Sequence, residues 1–257
     1  MIDIQKQRDH RNIPINKVGI KNLRYPIRVL DREKGTQSTI ANINMSVGLP
    51  HDTKGTHMSR FVEMLHVIRT EEVSLKTLSE ILFQMKDHLD AVSAHIQVSF
   101  PYFIRKEAPV SKSPGLMDYT CIFEGSCDPN GHVDLISEVV VPISSVCPCS
   151  KEISAEGAHN QRGEVRLRTR FKHFIWIEDM IRLVENAASC EVYSVLKRTD
   201  EKYVTEAAYN NPKFVEDIVR DVAVSIKEDP NIYWFEVSAE NFESIHNHSA
   251  YAYISSD

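Results

Sequence analysis

The chain has 257 residues, 42% of them hydrophobic and 26% charged, which is enough to bury a substantial core and excludes global disorder. Its formal net charge of −6 argues against a general nucleic-acid binder, which needs a strongly basic surface, yet leaves room for a nucleotide held by a few local cations. No apolar run approaches the roughly 20 residues of a membrane helix, the polar start MIDIQKQRDHRN has no apolar signal core, and five cysteines fit reduced thiols better than a disulfide framework; a cytoplasmic protein is expected.

A short stretch near Leu23 to Leu30 reads as a strand. Its partner follows, where Ala41, Ile43, Met45 and Val47 alternate with Asn42, Asn44 and Ser46. Thr56 to Thr70 predicts a helix with Phe61, Leu65 and Ile68 on one side. A second helix starts at Ser74, an N-cap type, with Leu75, Leu78, Leu82, Met85 and Leu89 at helical spacing. Alternation through Ala94, Ile96, Val98 and Phe100 gives a strand. Another near Asp118 to Glu124 leads into the turn Asp128-Pro129-Asn130-Gly131, and a further strand covers Val133 to Ile143.

The second half repeats this order. Glu164 to Phe171 reads as a strand, Glu178 to Ser189 as a helix, and Phe214 to Lys227 as a helix whose stripe is Val215, Ile218, Val219, Val222 and Ile226. Tyr233, Phe235 and Val237 mark a strand, and Ala250 to Ile254 the last one. Each half thus reads strand, strand, helix, helix, strand, strand, as pseudo-repeats over about 20–126 and 132–257. The implied class is α+β: an antiparallel sheet with helices on one face, occurring twice in one domain, 1–257. Two connections read as long and irregular, Ser144 to Gln161 and Glu191 to Asn211, and such segments are usually functional or disordered.

The first of these reads SSVCPCSKEISAEGAHNQRG. Cys147, Cys149 and His159 are donor types that suit zinc and related metals, although CPC is not the usual C-x-x-C knuckle and loop thiols beside an incidental histidine remain open. Glu201, in Thr199 to Tyr203 of the second connection, is a candidate carboxylate ligand or a solvated charge. Near the C-terminus, NFESIHNHSAY brings Glu243, His246 and His248 together, and histidines two apart share a face of an extended chain. Glu216 sits on a helix between Val215 and Ile218, where a solvated carboxylate is the plain alternative. GTHMSR leads into a helix start, where free amides and Arg60 suit phosphate. Arg166, Arg168 and Arg170 alternate on one strand face, which reads as a solvated face more readily than as a binding stripe.

Together, the strings GTHMSRFVE, CPCSKEIS, GAHNQRG and ESIHNHSAY resemble the GTP cyclohydrolase IB family, in order and over essentially the whole chain. The resemblance implies the tunnelling fold, with two ββααββ units per chain. It also implies a homotetramer with sites where subunits meet, and one divalent ion per site, zinc or manganese. Carried onto this sequence, it makes Cys147, His159 and Glu201 the metal ligands and Cys149 and His246 residues of the reacting centre. Glu216 becomes the purine anchor. Arg60, a donor fork at a helix start, and His248, paired with His246, are the further candidate substrate-binding residues.

The activity so implied converts GTP and water to 7,8-dihydroneopterin triphosphate and formate, the first step of tetrahydrofolate biosynthesis, by metal-activated water attack at purine C8. Membrane and nucleic-acid partners are not expected. The rival within the same fold is a nitrile reductase of the queuosine pathway, with a cysteine nucleophile and a nicotinamide cofactor. The rival from another class is a non-catalytic metal- or pterin-binding protein. Formate release without a reductant separates the three.

Overall fold

The computed structural model describes residue 5, residues 7–66 and residues 71–256. Two compact units emerge, one of Met1–Pro101 with Ile122–Ser137 and one of Tyr102–Cys121 with Glu138–Asp257.

The first unit opens on a long antiparallel hairpin, β1 (Ile15–Asp31) and β2 (Gly35–Leu49). Its turn is set by the Asp31 carboxylate, which accepts the N–H groups of Glu33 at 2.9 Å and Lys34 at 2.8 Å, and by Gly35 at φ +79°, a region that glycine enters without Cβ strain. The predicted alternation in β2 is real: Ala41, Ile43, Met45 and Val47 are buried while the residues between them are not. Strand β1 is much longer than the stretch Leu23 to Leu30 suggests. Register shifts between Ile15 and Val18 and between Ile20 and Leu23 interrupt its period of two, so the pattern fades although the pairing continues.

Helix α1 (Met58–Met64) is shorter than the span Thr56 to Thr70, and Val67–Thr70, with Ile68, lies outside the described residues. Helix α2 (Leu75–His88) begins as its N-cap predicts: the Ser74 hydroxyl accepts the Thr77 N–H at 3.2 Å. Its inward face buries Leu78, Ile81, Leu82 and Met85, each contributing about 1.5–3 kcal/mol on leaving water.

Three further strands, β3 (Ser93–Glu107), β4 (Pro114–Cys127) and β5 (Val133–Val146), each contribute residues to both units. In the first unit the hydrogen-bonding order is β1-β2-β3-β4-β5. The β4–β5 turn is closed by Asp128, whose carboxylate accepts the His132 N–H at 2.9 Å, with Gly131 at φ +85°.

In the second unit the order is β3-β4-β5-β6-β8-β9, where β6 is Asn160–Phe171, β8 is Ile232–Asn241 and β9 is Ala250–Ser255. A two-residue strand, β7 (Cys190–Glu191), pairs with β5 through Ile143↔Glu191 and Ser144↔Cys190. Helices α4 (Ile177–Ala187) and α6 (Val215–Lys227) form where the sequence predicts helices, and the stripe Val215, Ile218, Val219, Val222 and Ile226 of α6 is buried. Helix α6 packs on β8 and β9, and α4 packs on α6 and β6. They cover an apolar layer that includes Val165, Leu167, Phe235, Val237 and Ala239.

Two segments read as irregular are not. The CPC connection contains a short helix, α3 (Pro148–Ile153), started by proline at its first position. The connection after Glu191 contains a helix of 13 residues, α5 (Arg198–Asn210). Helix α5 has charged or polar residues on nearly every face, so no apolar stripe announces it. It is fixed by a buried carboxylate: Asp200 accepts Val110 N–H at 2.8 Å, Ser111 N–H at 2.8 Å, the Ser111 hydroxyl at 2.6 Å and Lys197 N–H at 2.9 Å. Burial alone would raise the Asp200 pKa; the hydrogen bonds from Ser111, Lys197 and Val110 outweigh it and hold the group well below the usual carboxylate range.

Candidate functional site

The site grows from the end of β5. The Val146 N–H donates to Ser189 Oγ at 3.1 Å, and the Val146 carbonyl accepts the Lys213 N–H at 3.1 Å. Both backbone groups of the last strand residue are therefore tied, one to the chain after α4 and one to the chain before α6. Cys147 then leaves the strand as the N-cap of α3, its sulfur accepting the Ser150 N–H at 3.4 Å.

Two further bonds lock the opposite side of the connection onto this corner. The Cys147 N–H donates to the His159 carbonyl at 3.2 Å, and the His159 N–H donates to Ser150 Oγ at 3.1 Å. His159 Nδ1 lies 2.9 Å from Gln161 Oε1 and 3.8 Å from Glu243 Oε2. The His159 and Glu243 side chains are 14% and 13% exposed, so the pair is largely withdrawn from water. Glu243 is delivered by the end of β8, where the Phe242 N–H donates to the Arg162 carbonyl at 2.8 Å.

The two thiols of CPC part ways. Cys147 folds back on Ser150, whereas Cys149, on the second residue of α3, is exposed. Glu216 is exposed in the first turn of α6, close along the chain to Lys213 and hence to the same corner. Capping there falls to Asp217, whose carboxylate accepts the Phe214 N–H at 3.0 Å. His246 and His248 lie exposed between β8 and β9 with rings stacked, centroids 5.0 Å apart and planes 17° apart.

Glu201 is not brought to Cys147 and His159. It is exposed in the first turn of α5, next to the buried Asp200. Helix α5 touches α3 near its other end, where Lys151 Nζ donates to the Tyr209 carbonyl at 2.5 Å and lies 4.3 Å from the centre of the Tyr209 ring. At about 1.5 Å of rise per residue, Glu201 stands about 12 Å further along the axis. Among the described residues, no three His, Cys, Asp or Glu side chains of this chain close on one point.

Arg60 belongs to the first unit. Its guanidinium donates to the His88 carbonyl at 2.8 Å, at the end of α2, beside a cavity of about 480 Å³. The arginine stripe is more engaged than a solvated face. Arg166 and Arg168 both reach Glu138, at 3.1 and 3.4 Å, Arg168 also reaches Glu236 at 2.5 Å, and Arg170 lies over the Trp234 ring at 3.8 Å. These contacts account for Arg166, Arg168 and Arg170 within the sheet.

Glu243, Gln161 and Ser145 gain a place here that motif spacing alone does not give them. Gln161 carries a usable signal, since it stands two residues after His159 on extended chain and shares its side. The chemistry of the corner fits a borderline divalent ion. Cys147 offers a sulfur donor and His159 an imidazole whose Nδ1 already lies against Gln161, with Nε2 the other ring nitrogen.

A family model described as type I GTP cyclohydrolase folE2 matches residues 1–252. The GTP cyclohydrolase FolE2 of Desulfosudis oleivorans is 71% identical over 254 residues, covering 99% of this chain and 97% of that protein. Those of Syntrophobacter fumaroxidans and Syntrophus aciditrophicus are each 59% identical, covering 99% of this chain and 98% and 99% of theirs. Among solved structures, the uricase of Arthrobacter globiformis aligns with a TM-score of 0.55 at 10% identity, over 93% of this chain and 92% of that one. The urate oxidase of Bacillus subtilis aligns with a TM-score of 0.55 at 6% identity, over 93% and 98%. At such identities the likeness is one of fold alone, and the fold is the tunnelling fold. No helix among the described residues is long and apolar enough to cross a membrane.

Proposed function

The chain belongs to the type I GTP cyclohydrolase FolE2 family, and from that premise we infer a GTP cyclohydrolase that converts GTP and water to 7,8-dihydroneopterin triphosphate and formate. The observation that carries this reading to particular residues is the clasp of Cys147 and His159 at the end of β5, inside a match that spans nearly the whole chain.

We propose that Cys147 and His159 hold a divalent zinc or manganese ion, with Glu201 as the third ligand, delivered at a subunit boundary of a homotetramer. Once bound, the ion supplies Lewis acidity that brings the pKa of a water toward ~7. The chain's own residues do the rest. His246 donates a proton to N7 of the purine as C8 accepts water, because an imidazole can pass a proton to a ring nitrogen and N7 protonation makes C8 more electrophilic. Cys149, exposed on α3, stands by the ring and assists proton movement there. Glu216 accepts hydrogen bonds from guanine N1–H and the exocyclic amine, donors that adenine lacks in that arrangement. Arg60 and His248 bind the substrate, Arg60 as a donor fork for phosphate. The imidazole bond opens, a second hydrolysis frees formate, and the ribose carbons close onto the pyrimidine.

GTP is an intracellular nucleotide, so the proposed compartment is the cytoplasm and the proposed role is the entry to tetrahydrofolate synthesis. The test is metal removal. Exhaustive chelation should abolish turnover of GTP, and zinc or manganese added back should restore it. Full turnover by metal-free enzyme would reject the metal role.

A further inference from the structure

We propose that Gln161 is a positioning residue: its side-chain carbonyl holds the His159 proton on Nδ1, so that Nε2 carries the lone pair that binds the divalent ion. The ligand half of this proposal rests on the metal reading above; the tautomer half stands without it.

The geometry begins with spacing. His159 and Gln161 flank Asn160, the first residue of β6, and residues two apart on extended chain point the same way. Gln161 is buried, at 8% exposure, and so is Ser145 on β5, at 0%. The three form a chain: Gln161 Nε2 lies 2.9 Å from Ser145 Oγ, and Gln161 Oε1 lies 2.9 Å from His159 Nδ1.

Two hydrogen arrangements satisfy those distances. In the first, Nδ1–H donates to Oε1 and the amide N–H donates to the serine hydroxyl. In the second the amide is reversed, its N–H donates to an Nδ1 lone pair, and the serine hydroxyl donates to the amide carbonyl. Neutral amide and hydroxyl groups do not choose between them. Glu243 does. Its Oε2 lies 3.8 Å from the same Nδ1, and both side chains are mostly buried, where charge is weakly screened. A lone pair turned toward a carboxylate is repelled, and an N–H turned toward it is attracted. The first arrangement is therefore favoured, and Nδ1 is a donor facing two acceptors.

The consequence falls on the other nitrogen. A neutral imidazole has one N–H and one lone pair, and the hydrogen bond made by one nitrogen decides which atom can bind a metal. With Nδ1 protonated, Nε2 is the ligand atom. The backbone bonds from Cys147 and to Ser150 fix where His159 sits, so Gln161 is left to set the ring's tautomer and rotation.

The experiment compares Gln161→Met, which keeps the length but lacks the acceptor, with Gln161→Glu, which keeps it. Long-range 1H–15N NMR on histidine-labelled, metal-free protein, with His159→Asn to assign the signal, reads the tautomer directly. The expected result is Nδ1–H in the wild type and in Gln161→Glu, and a mixed or Nε2–H form in Gln161→Met. Zinc titration should then show the dissociation constant raised about 10–100-fold in Gln161→Met and close to wild type in Gln161→Glu. A role in packing alone would not be rescued by the acceptor. An Nε2–H tautomer in the wild type, or a Gln161→Met protein with wild-type tautomer and zinc affinity, would overturn the proposal. If His159→Asn binds zinc as tightly as wild type, the metal reading and the ligand half fail together. That failure is distinguishable, because the tautomer is measured with no metal present.

Discussion

The Cys147 N–H donates to the His159 carbonyl at 3.2 Å, so the two residues are joined through backbone rather than through side chains. Either side chain can be changed without untying the connection. Cys147→Ala should therefore fold normally yet lose metal occupancy and activity together. Cys149→Ala, altering an exposed thiol two residues on in the first turn of α3, should keep the ion and still lose much of the rate. Elemental analysis beside the turnover rate checks both. Metal lost from Cys149→Ala but kept by Cys147→Ala would reverse the two roles.

The proposed role of Glu216 in base choice is open to a direct test. Glu216→Gln keeps the size but puts a donor amide where an acceptor oxygen met a guanine donor, so GTP binding should weaken by about 1–3 kcal/mol. Because Asp217 rather than Glu216 caps α6, the urea midpoint should barely change. Calorimetry with GTP is the measurement, and an unchanged dissociation constant removes Glu216 from the site.

Asp200 is expected to matter for stability and for its pH dependence. Asp200→Ala removes the buried acceptor shared by the N–H groups of Val110, Ser111 and Lys197, and a loss of about 1–3 kcal/mol is expected from hydrogen bonds to one charged group. The sign of the pH effect follows from the lowered pKa. The folded protein holds Asp200 ionised where the unfolded chain, near the ordinary aspartate value of 3.8, takes up a proton. Its contribution is thus complete above the ordinary carboxylate range and is lost as pH falls below it. Urea midpoints measured from neutral pH down through 4, at fixed protein concentration, should fall more steeply in wild type than in Asp200→Asn.

Much of the fold is legible in the sequence because burial imposes a period. The alternation in β2 and β3 and the stripes of α2, α4 and α6 follow their cores, and Asp128 to Gly131 announces its turn. Helix α5 escapes because its support is a carboxylate clip to Val110 and Ser111 and a lysine on Tyr209, contacts between distant residues with no periodic trace. Strand β1 escapes in its first half because its register shifts break alternation. At the site, Cys147 and His159 are legible as donor types in one connection. The approach of Glu243 to His159 is not, since it depends on how β8 ends beside β6. Glu201 is legible only as a carboxylate in a motif, and its place on α5, away from Cys147, comes from the structure alone.

The proposed reaction opens the guanine ring of GTP and expels C8. Incubating the metal-loaded protein with GTP carrying 13C at C8, without any reductant, and following the label by NMR tests it most directly. The label should appear in free formate, in step with loss of GTP, and Cys147→Ala should stop both. Label that stays in the purine ring while wild-type protein is fully metallated would contradict it.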